Sequence, residues 1–261
     1  MPGELEMLRP DWPAPPRVRA AVTLRTGGVS RPPFESLNLG AHVGDDPQAV
    51  AENRARVRRA LELPREPVWL TQVHGTQVVT LARTSQASGS DSASAVAHAP
   101  TADAAITRDV GEVCAIGIAD CLPVLFAARD GSVVGASHAG WRGLAGGVLE
   151  ATVRALKSEP RQLLAWLGPA IGPEHLEVGA EVRAAFLEQD PRAERAFAPN
   201  SRGRWQCDLY ALARARLAAL GVTAIYGGGW CTFAEPQRFF SFRRAGRCGR
   251  MAALLWLETG S

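Results

Sequence analysis

Three segments of this chain each place a reactive side chain close to glycine at the end of an apolar stretch. They are TQVHGTQVV (71–79), IADCLPVLF (118–126) and GASHAGWRG (135–143), and their reactive residues are His74, Cys121 and His138. Neutral imidazole and thiolate are good zinc ligands, and three protein ligands leave one coordination position for water or substrate. A water molecule in that position becomes a nucleophile at neutral pH. His74, Cys121 and His138 are therefore candidates for a metal centre that would also be the catalytic centre of an enzyme.

The spacing of these three residues does not by itself require a shared site. They lie far apart in the sequence, and the chain contains no CxxC or HExxH motif around them. The alternative is that Cys121 is a small buried hydrophobic residue and that His138 is a hydrogen-bonded histidine in a turn.

Arginines stand out in two segments of the chain. HAGWRG lies between a predicted strand and a predicted helix, where free backbone N–H groups favour anions, and Arg142 could clamp a phosphate or a carboxylate there. Arg142 could equally be a solvated residue of the first helical turn. FFSFRRAGRCGR (239–250) places four arginines among aromatic residues, a pattern that alone predicts a solvated face or a weak nucleic-acid patch.

The elements that must position these residues are visible as short apolar runs. The sequence predicts a strand at 18–24, a helix that opens at Asp46-Pro47, and two strands around VWLTQ and QVVTLA with His74 between them. Val50, Val57, Ala60 and Leu61 form the predicted apolar face of that helix. The central runs ADAAIT, VCAIGIADCLPVLFAA and SVVGASHAGWRG predict closely spaced buried strands.

Further helices and strands are predicted in the second half of the chain. We predict one helix from Leu144 to Leu156, a strand at LLAWLG, a helix from about Ala180 to Glu188, and a helix capped by Asp208 and ended by Gly221. Strands at VTAIY and MAALLWL complete the pattern. Because strands come in groups between helices, the sequence predicts an α+β fold in one domain over residues 1–261. The Ser/Ala-rich segment 83–100 is predicted to be an exposed, mobile loop.

Composition excludes several classes of function. The chain has 261 residues, 46% of them hydrophobic, and a formal charge of only +3, which argues against binding to nucleic acid or to an anionic membrane. No stretch approaches the roughly 18 apolar residues of a membrane span, and the N-terminus lacks the apolar core of a signal peptide. The five cysteines are scattered, and we expect free thiols in a cytoplasmic protein.

Several motifs, taken in order, resemble one known family. RTGGVS, SLNLG, HVGDDP, TQVHG, ADCLPVLF, HAGWRG, LGPAIGP and CTF followed by RFFSFRR cover the chain from about Arg25 to Leu257. They resemble the laccase-domain, or polyphenol-oxidase-like, family, whose members are also called multifunctional zinc purine nucleoside phosphorylases. The long Ser/Ala segment, Ala245 and Cys248 depart from the usual pattern of the family, but none of these departures touches the metal trio.

The resemblance implies a four-layer α/β/β/α sandwich with zinc held by His74, Cys121 and His138. It also implies phosphorolysis of adenosine, inosine, guanosine and methylthioadenosine, and deamination of adenosine. Nucleosides and phosphate are then the partners of the protein. The candidate residues for binding substrate and phosphate are Arg142, Arg25, Asn38, Arg243 and Arg244.

Three other functions remain open at this point. The first is copper-dependent polyphenol oxidation, with copper in the same site, although five histidines are few for a multicopper enzyme. The second is a metal-free amide hydrolase that acts on peptidoglycan precursors, with Cys121 as nucleophile and His138 as base. The third is a scaffold protein in which the trio is structural.

Overall fold

Two β-sheets packed face to face form the centre of the computed structural model, which describes residues 5–82 and 99–259. In chain order, the helices and strands are β1 (Met7–Leu8), β2 (Val18–Thr23), α1 (Pro47–Ala60), β3 (Val68–Trp69), β4 (Val78–Leu81), β5 (Ala104–Thr107), β6 (Val113–Ile118), β7 (Leu122–Ala128), β8 (Val134–Ala139), α2 (Trp141–Gly146), α3 (Val148–Leu156), β9 (Leu163–Leu167), β10 (Glu177–Val178), α4 (Ala180–Leu187), β11 (Phe197–Pro199), β12 (Trp205–Cys207), α5 (Leu209–Ala219), β13 (Ala224–Gly227), α6 (Phe242–Ala245) and β14 (Met251–Leu257). Short 3₁₀ turns at Pro160–Gln162 and Pro191–Ala196 precede β9 and β11.

The two large sheets are both mixed. The five-stranded sheet has the order β1-β2-β14-β6-β3, and the six-stranded sheet has the order β13-β9-β7-β8-β5-β4. The pairs β3–β6, β13–β9 and β4–β5 are parallel, and the other pairs are antiparallel. A small sheet, β10-β12-β11, lies outside these two.

Period-2 alternation divides the side chains of the central strands between two cores. Leu122, Val124 and Phe126 of β7 pack with α2, α3, α4 and α5, whereas Leu125 and Ala127 pack against the five-stranded sheet. A third core joins the other face of the five-stranded sheet to α1. The order of layers is therefore α1, five-stranded sheet, six-stranded sheet and helices α2–α5. The predicted α+β class and four-layer α/β/β/α sandwich are confirmed.

Most predicted elements form where their apolar pattern places them. Asp46 caps α1 by accepting a hydrogen bond from Gln48 N, and Asp208 caps α5 by accepting one from Ala211 N. Val50 and Val57 are buried, but Ala60, which was predicted on the same apolar face, is exposed. The Arg-rich stretch near the C-terminus contains a short helix, α6, that the sequence pattern did not indicate.

The helix predicted from Leu144 to Leu156 is in fact two helices. Gly147 separates α2 from α3 with φ of +96°, a left-handed conformation that ends one helix and starts the next. The first of the two, α2, begins two residues after the end of β8.

The shortest connection between the two large sheets is the one from β6 to β7. β6 belongs to the five-stranded sheet and β7 to the six-stranded sheet, and only residues 119–121 join them. Cys121 is therefore fixed at the edge where both sheets meet.

Two further predictions concern the Ser/Ala-rich loop and membrane-spanning segments. All but the last two residues of the predicted loop at 83–100 lie outside the described residues. Of the helices in residues 5–82 and 99–259, none is long and apolar enough to cross a membrane.

The left-handed conformation of Gly147, between α2 and α3, gives a prediction about stability. Gly147→Ala should lower the free energy of unfolding by about 1–2 kcal/mol, because any residue other than glycine is strained at this φ. Its new Cβ would lie 3.4 Å from Glu150 Oε2, an ordinary contact, so the loss comes from the backbone. Urea denaturation measures it. Gly146→Ala, at the neighbouring helical position, is the control, and equal stability of the two variants would contradict the prediction.

Candidate metal centre

His74, Cys121 and His138 converge on one point. Their ligand atoms all lie within 4.8 Å of one another, and Cys121 Sγ is 3.6 Å from His74 Nε2. His74 comes from the turn between β3 and β4, Cys121 from the connection between β6 and β7, and His138 from β8. Among the residues that the structure describes, this is the one group of three or more histidine, cysteine or acidic side chains close enough to hold a metal ion. The three could therefore hold a metal ion.

Asp103 holds two of the three side chains in place. Its carboxylate is fully buried and accepts hydrogen bonds from three successive backbone N–H groups, those of Val73, His74 and Gly75, at 3.1, 2.9 and 2.7 Å. It also accepts a hydrogen bond from His138 Nδ1 at 2.9 Å, and its backbone carbonyl accepts one from His138 N. Because Nδ1 of His138 is occupied by Asp103, Nε2 is the nitrogen left for a metal.

Backbone strain accompanies this arrangement. His74 has a φ of +61° and Asp120 has a φ of +92°, a left-handed conformation that residues other than glycine rarely adopt. The bonds from Asp103 to the backbone on both sides of His74 stabilise the first of these conformations.

Gly140 leaves room for the three side chains. A Cβ at this position would lie 2.8 Å from Cys121 Sγ and 2.9 Å from His74 Cδ2, closer than real Cβ atoms approach. The φ of Gly140 is −63°, which any residue can adopt. Glycine is therefore required here because a side chain would not fit.

The electrostatics of the trio favour a thiolate beside an imidazolium when no metal is bound. Burial raises the pKa of the Cys121 thiol, but the charge of His138 and hydrogen bonds from both histidines outweigh burial and lower that pKa to about 6. Burial lowers the pKa of His138, whereas the Cys121 thiolate and Asp103 raise it to about 9. The pKa of Asp103 is below its ordinary value, because its hydrogen bonds to His138 and to backbone amides outweigh the effect of burial.

The trio opens into a cavity of about 390 Å³, a size typical of small-molecule sites. One part of its wall is apolar and the rest carries polar or cationic groups. The lining residues are His42, Gln72, His74, Gly117, Ala119, Asp120, Cys121, His138, Trp141, Arg142, Ile171, Leu176, Leu209, Phe242, Arg243 and Arg250.

Two of the five predicted substrate-binding residues reach this cavity. Arg142 lies over the ring of Trp141, with Cζ 4.4 Å from the ring centroid. Arg243 donates from its guanidinium to the carbonyl of Glu177, and its backbone N donates to Asp120 Oδ2. Both side chains are exposed.

The other three predicted residues, Arg25, Asn38 and Arg244, do not line the cavity. The Arg25 guanidinium donates to the carbonyls of Glu35 and Pro236, and the Arg244 guanidinium donates to three backbone carbonyls, those of residues 232, 233 and 239. Asn38 is fully buried, and its Oδ1 accepts a hydrogen bond from the backbone N of Arg250, which does line the cavity. These three residues support the backbone around the site.

Sequence reasoning missed Asp103, His42, Gln72, Phe242 and Arg250. Asp103 could have been found from the sequence, because it directly precedes a fully buried strand. An ionised side chain at such a position needs several hydrogen-bond partners. The pKa of His42 is lowered by burial and by the charges of Arg250, Arg54 and His138.

Asp120, the acidic neighbour of Cys121, has both carboxylate oxygens occupied. Oδ1 accepts a hydrogen bond from Thr232 Oγ1 at 2.6 Å, and Oδ2 accepts one from Arg243 N at 2.7 Å. It therefore ties the C-terminal segment to the crossing between the sheets. The site as a whole combines soft metal ligands, or a reactive thiolate, with a cationic cavity that suits an anionic reactant.

The lowered pKa of Cys121 gives a prediction. In metal-free protein, the rate of alkylation of Cys121 by iodoacetamide should be half-maximal near pH 6, because the thiolate is the reacting form. Peptide mass spectrometry at pH 5–9 measures this rate, and the buried Cys114 and Cys207, whose pKa is raised to about 12, serve as internal controls. A midpoint above pH 8 would contradict the prediction.

Comparison with known proteins identifies relatives over nearly the whole chain. Residues 19–258 match the family described as multi-copper polyphenol oxidoreductase laccase. A Pseudomonas aeruginosa protein named purine nucleoside phosphorylase is 54% identical over 96% of this chain and 98% of its own length. The Escherichia coli K12 purine nucleoside phosphorylase YfiH is 50% identical, over 97% and 99% respectively.

Solved structures also resemble this chain over nearly its whole length. The crystal structure of Neisseria meningitidis protein NMB0706 superposes with a TM-score of 0.88 at 47% identity, over 97% of this chain and 99% of that one. YlmD from Geobacillus stearothermophilus gives the same TM-score at 33% identity, over 99% and 100%. With its sequence match, its fold and its His–Cys–His group, this chain belongs to the multi-copper polyphenol oxidoreductase laccase family.

Proposed function

We propose that this chain is a zinc-dependent purine nucleoside phosphorylase. The observation that carries the proposal is that the His74–Cys121–His138 group opens into a cavity lined by three arginines. The names of relatives that share half of its residues or more support the same activity.

The donor set fits zinc. Two imidazoles and one thiolate are borderline-soft ligands, and they leave one coordination position open, as catalytic zinc sites do. Asp103 directs Nε2 of His138 away from its own carboxylate, and Gly140 keeps the space beside the thiolate clear. Zinc held there would supply Lewis-acid activation of an oxygen atom of substrate or water.

The arginines of the cavity suit the phosphate co-substrate. Arg142, Arg243 and Arg250 all line it, and within residues 5–82 and 99–259 none of them forms an ion pair with a carboxylate. Guanidinium groups bind phosphate oxygens in a bidentate manner. In phosphorolysis a phosphate oxygen bonds to C1′ of the ribose while the bond from C1′ to the base nitrogen breaks, and the base takes up a proton. Positive charge that holds the phosphate beside C1′ therefore promotes the reaction.

The cavity volume also suits a nucleoside. We propose adenosine, inosine, guanosine and methylthioadenosine as substrates, together with hydrolytic deamination of adenosine at the same centre. In deamination an oxygen from water bonds to C6 of adenine while the bond from C6 to the amino nitrogen breaks and ammonia leaves, a reaction that zinc centres support.

Separation of products tests the function. Zinc-loaded protein is incubated with adenosine or inosine, with and without inorganic phosphate. We expect adenine or hypoxanthine only when phosphate is present, and inosine from adenosine in its absence. Cys121→Ser should reduce both activities to background, because a serine hydroxyl is a poor zinc ligand.

The matched control is Cys231→Ser, which makes the same substitution outside the metal group and should retain activity. Absence of turnover of every nucleoside by the zinc-loaded wild type would overturn the proposal. Full activity of Cys121→Ser would overturn the role of the metal group.

The position of Asp103 predicts the strength of metal binding. Asp103→Asn should weaken zinc binding by about 10–100-fold, because the amide cannot orient both His138 and the backbone at His74. Competition with a chromogenic chelator measures the affinity. The exposed Asp130→Asn makes the same change of charge outside the site and should bind zinc like the wild type; an unchanged affinity in Asp103→Asn would contradict the assignment.

A second candidate function rests on the same residues without metal. Cys121, His138 and Asp103 are arranged as nucleophile, base and orienting acid, with the pKa of the thiol already lowered. Metal-free protein would then hydrolyse an amide bond of a peptidoglycan precursor, and zinc would inhibit it. Amide hydrolysis by the metal-free form, with no activity on nucleosides, would establish this alternative.

Copper-dependent polyphenol oxidation is less well supported. A multicopper oxidase uses several copper sites, whereas the described residues bring together one candidate group. A single copper ion in that group is the remaining version, and metal analysis of protein purified without added metal distinguishes it from zinc.

A further inference from the structure

Phe242 is an exposed aromatic side chain on the wall of the cavity. Its side chain is 56% exposed, although phenylalanine normally buries its ring. Of the three large hydrophobic residues that are strongly exposed in the described parts of the chain, it is the aromatic one, and the others are Val29 and Val73. An apolar ring on a cavity wall is a surface that a ligand can cover.

The backbone that carries this ring is firmly anchored. Asp120 Oδ2 accepts a hydrogen bond from the N–H of the next residue, Arg243, at 2.7 Å, and the buried Ser241 caps α6 by accepting one from Arg244 N. The guanidinium of Arg244 binds three backbone carbonyls nearby. Because Asp120 is adjacent to Cys121, the anchor fixes Phe242 relative to the metal group.

The other aromatic residue of the wall already has partners. Trp141 is half-buried, packs against the core beneath the helices, and lies under the guanidinium of Arg142 at 4.4 Å. The Arg250 guanidinium is 5.8 Å from the centroid of Phe242, at the outer limit for a cation–π contact. The face of Phe242 is thus the less occupied of the two aromatic surfaces.

We propose that Phe242 is the surface on which the purine base of the nucleoside stacks. This inference rests on the proposed function and deepens it by assigning the base subsite. A purine is a flat π-system, and stacking on an aromatic side chain in an offset arrangement is favourable for every base. Arg250, whose guanidinium donates to the carbonyls of residues 248 and 249, lies next to this ring on the cavity wall.

Steady-state kinetics and direct binding together test the assignment, with zinc-loaded wild type and the variants Phe242→Ala, Phe242→Leu and Phe242→Tyr. Phe242→Ala should raise KM for inosine, and Kd for inosine measured by calorimetry without phosphate, by about tenfold or more. Phe242→Tyr should stay within about twofold of the wild type because it keeps the ring, and Phe242→Leu should lie between the two. KM for phosphate and zinc content should be the same in all of them.

The exposed Val29→Ala, which removes apolar surface outside the cavity, is the control for general effects. Wild-type values for Phe242→Ala, or an equal rise in KM for nucleoside and phosphate, would overturn the stacking assignment while leaving the proposed function intact. If the wild type neither turns over nor binds nucleosides, the proposed function fails and the assignment fails with it. If the wild type binds inosine without turnover, the calorimetric comparison alone decides the stacking.

Discussion

The buried carboxylate of Asp103 is the interaction on which the candidate site depends. An ionised carboxylate without solvent is costly unless its oxygens are fully hydrogen-bonded, and here four N–H groups meet them. Three of these groups hold the turn at His74 in its left-handed conformation, and the fourth belongs to the ring of His138. One side chain therefore sets the distance between two of the three metal-ligand candidates and leaves the correct nitrogen of His138 free.

The remaining components follow from where the two sheets meet. The crossing from β6 to β7 delivers Cys121 to the same edge, and Asp120 beside it binds Thr232 and the backbone of Arg243. The metal group and the cationic wall of the cavity are thus joined through one peptide segment. This connection explains how segments from the middle and the end of the chain line one cavity, with soft ligands at one side and guanidinium groups at the other.

Much of the fold could be predicted because apolar periodicity and helix caps report directly on local structure. The site could be predicted only in part. His74, Cys121 and His138 can be recognised in the sequence as reactive residues close to glycine. Their spacing does not indicate that the chain passes between two sheets at Cys121. Only the family motifs indicated that the three residues form one group. Whether an arginine lines the cavity depends on how distant segments of the chain pack around it, so Arg25 and Arg244 could not be separated from Arg142 and Arg250 by sequence pattern.

X-ray absorption at the zinc edge tests the central claim most directly, because it reports the ligands of the bound ion without reference to turnover. Protein loaded with one equivalent of zinc should show one sulfur neighbour at about 2.3 Å and light neighbours, nitrogen or oxygen, at about 2.0–2.1 Å. In Cys121→Ser the sulfur contribution should disappear. A wild-type spectrum without sulfur, or with several sulfur neighbours, would contradict a centre built from His74, Cys121 and His138.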